Sequence, residues 1–61
     1  MKPSEIVKAK RAKLNATQME FAELVGVNQA TVSRWEQGLL IPSKAELFFI
    51  DKIRSKRRAA A

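Results

Sequence analysis

The sequence predicts an all-α fold, a compact domain of four short helices, and three observations carry that prediction. Apolar residues recur at helical spacing along four segments. Each segment opens on residues that suit a helix start, at Pro3-Ser4-Glu5, Thr17, Asn28 and Ser43. The first three close on Asn15, Gly26 and Gly38, residue types that tolerate the left-handed backbone of a helix end.

Helix 1 is expected from Pro3 to about Leu14, with Ile6 or Val7, the stem of Lys10 and Leu14 giving a narrow apolar stripe. Thr17 starts helix 2, and Glu20 completes a T-x-x-E capping box. Phe21, Leu24 and Val25 supply its buried side, while Ala22 is small enough to let another helix approach closely. Gly26 allows a sharp turn, Val27 points back into the core, and Asn28 caps helix 3, which runs from Gln29 to about Gln37. Leu39, Leu40 and Ile41 then form an apolar loop closed by Pro42. Ser43 caps helix 4, which is expected to carry Leu47, Phe48, Phe49, Ile50 and Ile53. The two adjacent phenylalanines cannot both enter one core from a regular helix, so one is expected to be exposed. One domain over residues 1–54 is therefore predicted, followed by a basic, disordered tail over 55–61.

Composition narrows what such a domain can do. With 61 residues, it sits near the lower size at which an unaided core is stable. It has no cysteine and no histidine, so it lacks thiolate and imidazole metal ligands and the commonest general base. No nucleophile is paired with a base, and no metal-binding spacing appears, which argues against an enzyme and against a cofactor or metal. No segment is long and apolar enough for a membrane span, and the N-terminus lacks a signal-type apolar block, so a cytoplasmic protein is expected.

The net charge of +6 points to an acidic partner. Residues 1–13 and 44–61 each carry a net +4, whereas between them Arg34 stands alone against Glu20, Glu23 and Glu36. Basic flanks that attract phosphate around an element of net −2, which reads bases with amides and one arginine, would show this pattern. Solvated helix faces and a solubilising tail are the plainer explanation for any single lysine.

Helix 3 gives that pattern a geometry. Positions 29, 30, 33, 34 and 37 follow one continuous polar face, and Val32, Trp35 and Glu36 fall on the other side. A helix fits the major groove of B-form DNA and reaches base edges from its N-terminal part. Glutamine matches the acceptor and donor of adenine, and arginine matches the two acceptors of guanine. Gln29 and Arg34 are thus the candidate base readers, with the Ala30 methyl available to a thymine methyl.

In these features the chain resembles the Cro and phage-repressor type of helix-turn-helix, the Xre family. The residues that carry the resemblance include Arg11, Thr17, Gln18, Phe21, Ala22, Gly26, Val32, Trp35, Glu36, Gly38, Pro42, Ser43 and Leu47, in the family's order and spacing over roughly residues 6 to 54. It implies a lambda-repressor-like fold, here without a full fifth helix, and a bacterial or phage-encoded protein that associates with the nucleoid when bound. The implied function is sequence-specific binding of double-stranded DNA, usually as a homodimer on a near-palindromic operator, to regulate transcription. Gln29, Ala30 and Arg34 fall on the family's base-reading positions. Gln18 matches a glutamine that contacts a phosphate and supports the first glutamine of helix 3. Asn28, Ser33 and Gln37 match backbone contacts, and Thr17 and Lys44 join this phosphate-binding set. Arg11 and Glu36 match positions that form a largely buried salt bridge, a phosphate contact being the alternative.

The chain departs from the family pattern in three places. Its loop before Pro42 is apolar where the family's is usually basic, Met19 and Leu24 stand where polar residues are common, and the sequence stops where many relatives continue into a fifth helix. Met19 and Leu24 are expected to form a satellite core. A two-fold interface is expected to use Leu40, Phe48 or Phe49, and Ile53, unless the dimer forms only on DNA. A partner protein held by the apolar loop, as in an antitoxin, is the strongest rival, and binding that ignores DNA sequence is a second.

Overall fold

The computed structural model describes residues 2–55, and among these it contains four α-helices and no strand: α1 (Pro3–Leu14), α2 (Gln18–Val25), α3 (Gln29–Gln37) and α4 (Lys44–Lys52). The expected tail over 55–61 lies outside the described residues except for Ser55.

Local chemistry sets the helix ends. Pro3 occupies the first turn of α1, where its missing N–H costs nothing, and the Glu5 carboxylate accepts from the Lys2 backbone N–H at 3.2 Å. Asn15 closes α1 at φ 55°, in the left-handed region. At α2 the capping box forms: the Thr17 hydroxyl accepts from the Glu20 N–H at 3.0 Å, and Glu20 accepts from the Thr17 N–H at 2.9 Å. Ser43 and Glu46 repeat that reciprocal pair at α4, at 3.1 and 2.8 Å. Asn28 Oδ1 accepts from both the backbone N–H and the hydroxyl of Thr31, at 2.9 and 2.8 Å. Gly26, at φ 90°, makes the turn between α2 and α3, and its N–H and that of Val27 both donate to the Ala22 carbonyl.

One core joins all four helices. Val7, Phe21, Val32, Trp35 and Ile50 are essentially inaccessible to water, and Leu14, Ala16 and Ala22 complete the buried set. Each large side chain buried this way stabilises the fold by about 1.5–3 kcal/mol relative to leaving it exposed. Leu24, Val25, Val27 and Ile53 pack around the margin. On α1 it is Val7 that enters the core, and Ile6 stays half-buried.

Three expectations need correction. Met19 is 57% exposed and forms no satellite core, because it shares a helix face with exposed Glu23 while Phe21, Ala22 and Val25 turn inward. Phe48 and Phe49 are both exposed, at 65% and 50%, where one was expected to be. Ile50 and half-buried Leu47 form the inward stripe of α4, and positions 48 and 49 fall on either side of the outer face. Finally, α4 stops at Lys52, so Ile53 is not helical. Its backbone is extended (φ −70°, ψ 124°), and its half-buried side chain packs against the core.

Candidate nucleic-acid interface

The outer face of α3 is open. Gln29, Ala30, Arg34 and Gln37 are exposed and Ser33 is half-buried, whereas Val32, Trp35 and Glu36 on the opposite side are buried. The helix therefore presents one polar strip while its other strip is locked into the core. Within the strip, Gln37 Nε2 donates to Ser33 Oγ at 2.7 Å, one turn away. That leaves the serine O–H free to donate outward, since a hydroxyl both donates and accepts.

A polar seam fixes the angle at which α3 is held. Arg11 of α1 donates to Glu36 of α3 with both Nε and Nη2, at 2.6 and 3.0 Å, in a bidentate pair. Its Nη1 reaches the Ala16 carbonyl at 3.2 Å, tying the same guanidinium to the α1–α2 turn. Gln18 at the start of α2 donates to Glu36 Oε1 at 3.1 Å. One carboxylate thus collects donors from two other helices. The expected Arg11–Glu36 bridge is present. The support expected from Gln18 for Gln29 goes instead to Glu36, because the glutamine side chain is turned inward toward the buried carboxylate. One N–H of its amide remains for an outside acceptor.

The seam sets its own charge state. Burial alone pushes the Glu36 carboxyl upward; hydrogen bonds from Arg11 and Gln18, with the charges of Arg11 and Lys8, outweigh burial and hold it below its ordinary value of 4.5. The hydrogen bond to Glu36 raises Arg11 further above its ordinary value, against the opposing effect of desolvation. Both groups stay ionised at neutral pH.

The remaining candidates stand at helix starts. The Thr17 hydroxyl and Asn28 Oδ1 are engaged as cap acceptors, which leaves the Thr17 O–H and the Asn28 amide N–H groups as donors. Lys44 is exposed at the first position of α4. A helix start carries partial positive charge and unpaired N–H groups, so donors gathered there suit an anion. Sequence reasoning missed the bond from Arg11 to the Ala16 carbonyl and the one from Lys10 Nζ to the Asp51 carbonyl, at 3.2 Å. Neither acceptor is a side chain, so no residue type in the sequence marks it. Among the described residues, no helix is long and apolar enough to cross a membrane.

Comparison with known proteins bears on the same stretch. A family model described as helix-turn-helix matches residues 7–53. The chain is also similar to the type II methyltransferase M1.ScrFI of Lactococcus lactis subsp. cremoris, at 43% identity over 47 residues, which cover 72% of this chain and 12% of that protein. The likeness is thus to a small part of a much longer protein. No solved structure matches. With its four helices, its Gly26 turn and the family match running from α1 to the end of α4, the chain belongs to the Cro and phage-repressor (Xre) type of helix-turn-helix DNA-binding domains.

Proposed function

We propose that this protein is a sequence-specific transcriptional regulator, a repressor by occupancy, that binds a near-palindromic operator as a homodimer with α3 in the major groove. The observation that carries this is the division of α3, with an exposed strip of Gln29, Ala30, Arg34 and Gln37 backed by the buried Val32, Trp35 and Glu36. Gln29, Ala30 and Arg34 read bases, and Thr17, Gln18, Asn28, Ser33, Gln37 and Lys44 hold the phosphate backbone. Residues 1–54 form the binding unit. It is not an enzyme, it uses no cofactor, and it works in the cytoplasm on double-stranded DNA.

Two copies would place their α3 helices about 34 Å apart, in successive major grooves. The dimer contact is assigned to Leu40, Phe48 and Phe49, which stand exposed on the loop before α4 and on its outer face. Ile53, already packed on the core, contributes only at the margin of that contact. A second reading is favoured by the same exposure: Leu39 and Ile41, at 72% and 73%, extend the apolar patch into a loop that a partner protein could grip.

Selection of bound sequences from a random DNA pool tests the proposal. A two-fold motif with half-sites one helical turn apart is the expected result, and a pool that gains no motif overturns it. On the selected site, Arg34→Ala should cost about 1–3 kcal/mol and relax preference at one base pair. Equal losses on selected and random DNA would remove Arg34 from the readers. Sedimentation with and without the site separates the dimer from the partner reading, since the latter predicts a monomer in both conditions.

A further inference from the structure

The two basic flanks of the sequence, some forty residues apart, meet in the fold at a place that includes no residue of α2 or α3. Lys10 and Lys13 from α1 and Arg54 after α4 line one solvent-open cavity of about 480 Å³, with Leu14, Asp51 and Ile53 completing its wall. Three cations there face a single carboxylate. Lys10 is held in place by its bond to the Asp51 carbonyl, which uses one of its three N–H donors and leaves two. Lys13 and Arg54 are exposed, so their charges are available to a ligand. A second hollow of about 210 Å³ adjoins the first, sharing Lys10, Lys13 and Asp51, and it adds Ile6, Ala9 and Ile50.

We propose that these adjoining hollows form a binding site for a small organic phosphate of nucleotide size. The cation-lined cavity takes the phosphoryl group, and the shelf of Ile6 and Ala9, with Ile50 buried beneath it, takes an apolar or planar body. The size is right, since ligand sites commonly enclose about 300–1,000 Å³. The chemistry divides correctly as well. Arginine offers a planar fork of donors and the lysines offer compact charge, the combination that suits a phosphoryl group with several acceptor oxygens. A body without phosphate would leave the cations unused, and inorganic phosphate would leave the shelf wet. Because the site is open to solvent, binding should weaken as salt rises. The site stands independently of the DNA-reading proposal, because none of its lining residues belongs to the reading set.

The test uses the full chain without DNA, titrated with adenosine monophosphate and followed by NMR, with adenosine and inorganic phosphate as the two half-ligands. The expected result is saturable shifts at Lys10, Lys13, Ile53 and Arg54 and at Ile6 and Ala9, with the nucleotide binding at least about tenfold more tightly than either half. Lys13→Gln with Arg54→Gln should lose at least about tenfold, whereas Lys8→Gln with Lys52→Gln, which removes the same charge elsewhere, should change binding by less than about twofold. All four side chains are exposed, so neither pair of substitutions disturbs the core. The proposal is overturned if both variant pairs lose binding equally, if adenosine adds nothing to phosphate, or if these residues respond only to duplex DNA, which would make the cavity a backbone contact.

Discussion

The seam between α1, α2 and α3 buries charge, whereas the outer side of α4 and the loop before it expose hydrocarbon. In the seam, Glu36 is only 7% exposed, yet it receives three donated hydrogen bonds from Arg11 and Gln18. At α4, Leu39, Ile41, Phe48 and Phe49 are all at least half exposed. A buried carboxylate is tolerated only when it is paired and hydrogen-bonded, so the seam is complete within one chain. Exposed apolar area gains only when something covers it, so the α4 face gains nothing until another surface arrives. The difference separates the two regions: the seam fixes the angle of α3 against α1 and α2, and the α4 face is the surface on which the proposed association would fall.

The largest expected effect comes from breaking the seam on its less buried side. Arg11→Ala leaves Glu36 in the interior with Gln18 as its remaining side-chain donor, and should cost about 3–5 kcal/mol in urea unfolding followed by Trp35 fluorescence. Glu36→Gln should cost less, because the arginine it strands is 30% exposed and can be hydrated. Equal costs for the two would mean that the burial of Glu36 does not govern the seam.

Acid should reach the same contact without mutation. The folded-state carboxyl of Glu36 lies below its ordinary 4.5, so its ionisation favours the folded state above that pH, and the contribution is lost as pH falls through the depressed value. The stability gap between the wild type and Glu36→Gln should therefore be constant near neutral pH and shrink below about pH 4.5. A gap unchanged down to pH 3 would detach the seam from the Glu36 charge.

The seam was legible in the sequence and the α4 face only partly, for a physical reason. Helix starts and ends follow from residues whose effects are local, and Thr17, Asn28, Ser43, Asn15, Gly26 and Gly38 all act where expected. The Arg11–Glu36 bridge came from the family resemblance, and α3 periodicity alone had already turned Glu36 away from the polar strip. Exposure is a global property. Met19 and one of the two phenylalanines read as covered because they are apolar, but four short helices offer too little inner surface to cover every apolar side chain. The end of α4 was misplaced because no glycine or asparagine marks it; Ile53 leaves the helix to cover the core from an extended segment.

The turn between the two helices of the motif should respond more mildly than the seam. Gly26 stands at φ 90°, and a methyl group there would meet nothing within 4 Å, so Gly26→Ala carries backbone strain without a clash. The expected cost is about 1–2 kcal/mol, the penalty of the left-handed conformation for a residue with a Cβ. A larger loss, approaching that of Arg11→Ala, would show that the turn and not the seam sets the angle of α3.

The smallest expected effect on folding falls on the α4 face, and that smallness is what makes it diagnostic. Ile41→Ser and Phe48→Ser each remove an apolar side chain that is mostly in water already, so the urea midpoint of the dilute chain should move by no more than about 0.5 kcal/mol equivalent for Ile41→Ser and about 1 kcal/mol for Phe48→Ser. Phe48 also lies beneath the Lys52 ammonium, 4.7 Å from the ring centre, an exposed contact worth about 0.5–1 kcal/mol at most. If the face is where copies meet, Phe48→Ser should leave the monomer's stability nearly intact while weakening cooperative binding to a two-half-site duplex, with single half-site binding preserved. Ile41→Ser should do the same only if the loop belongs to that contact, so the two variants together map its edge. A Phe48→Ser protein as unstable as Arg11→Ala would erase the division between the regions, because the α4 face would then be part of the fold and not a surface awaiting a partner.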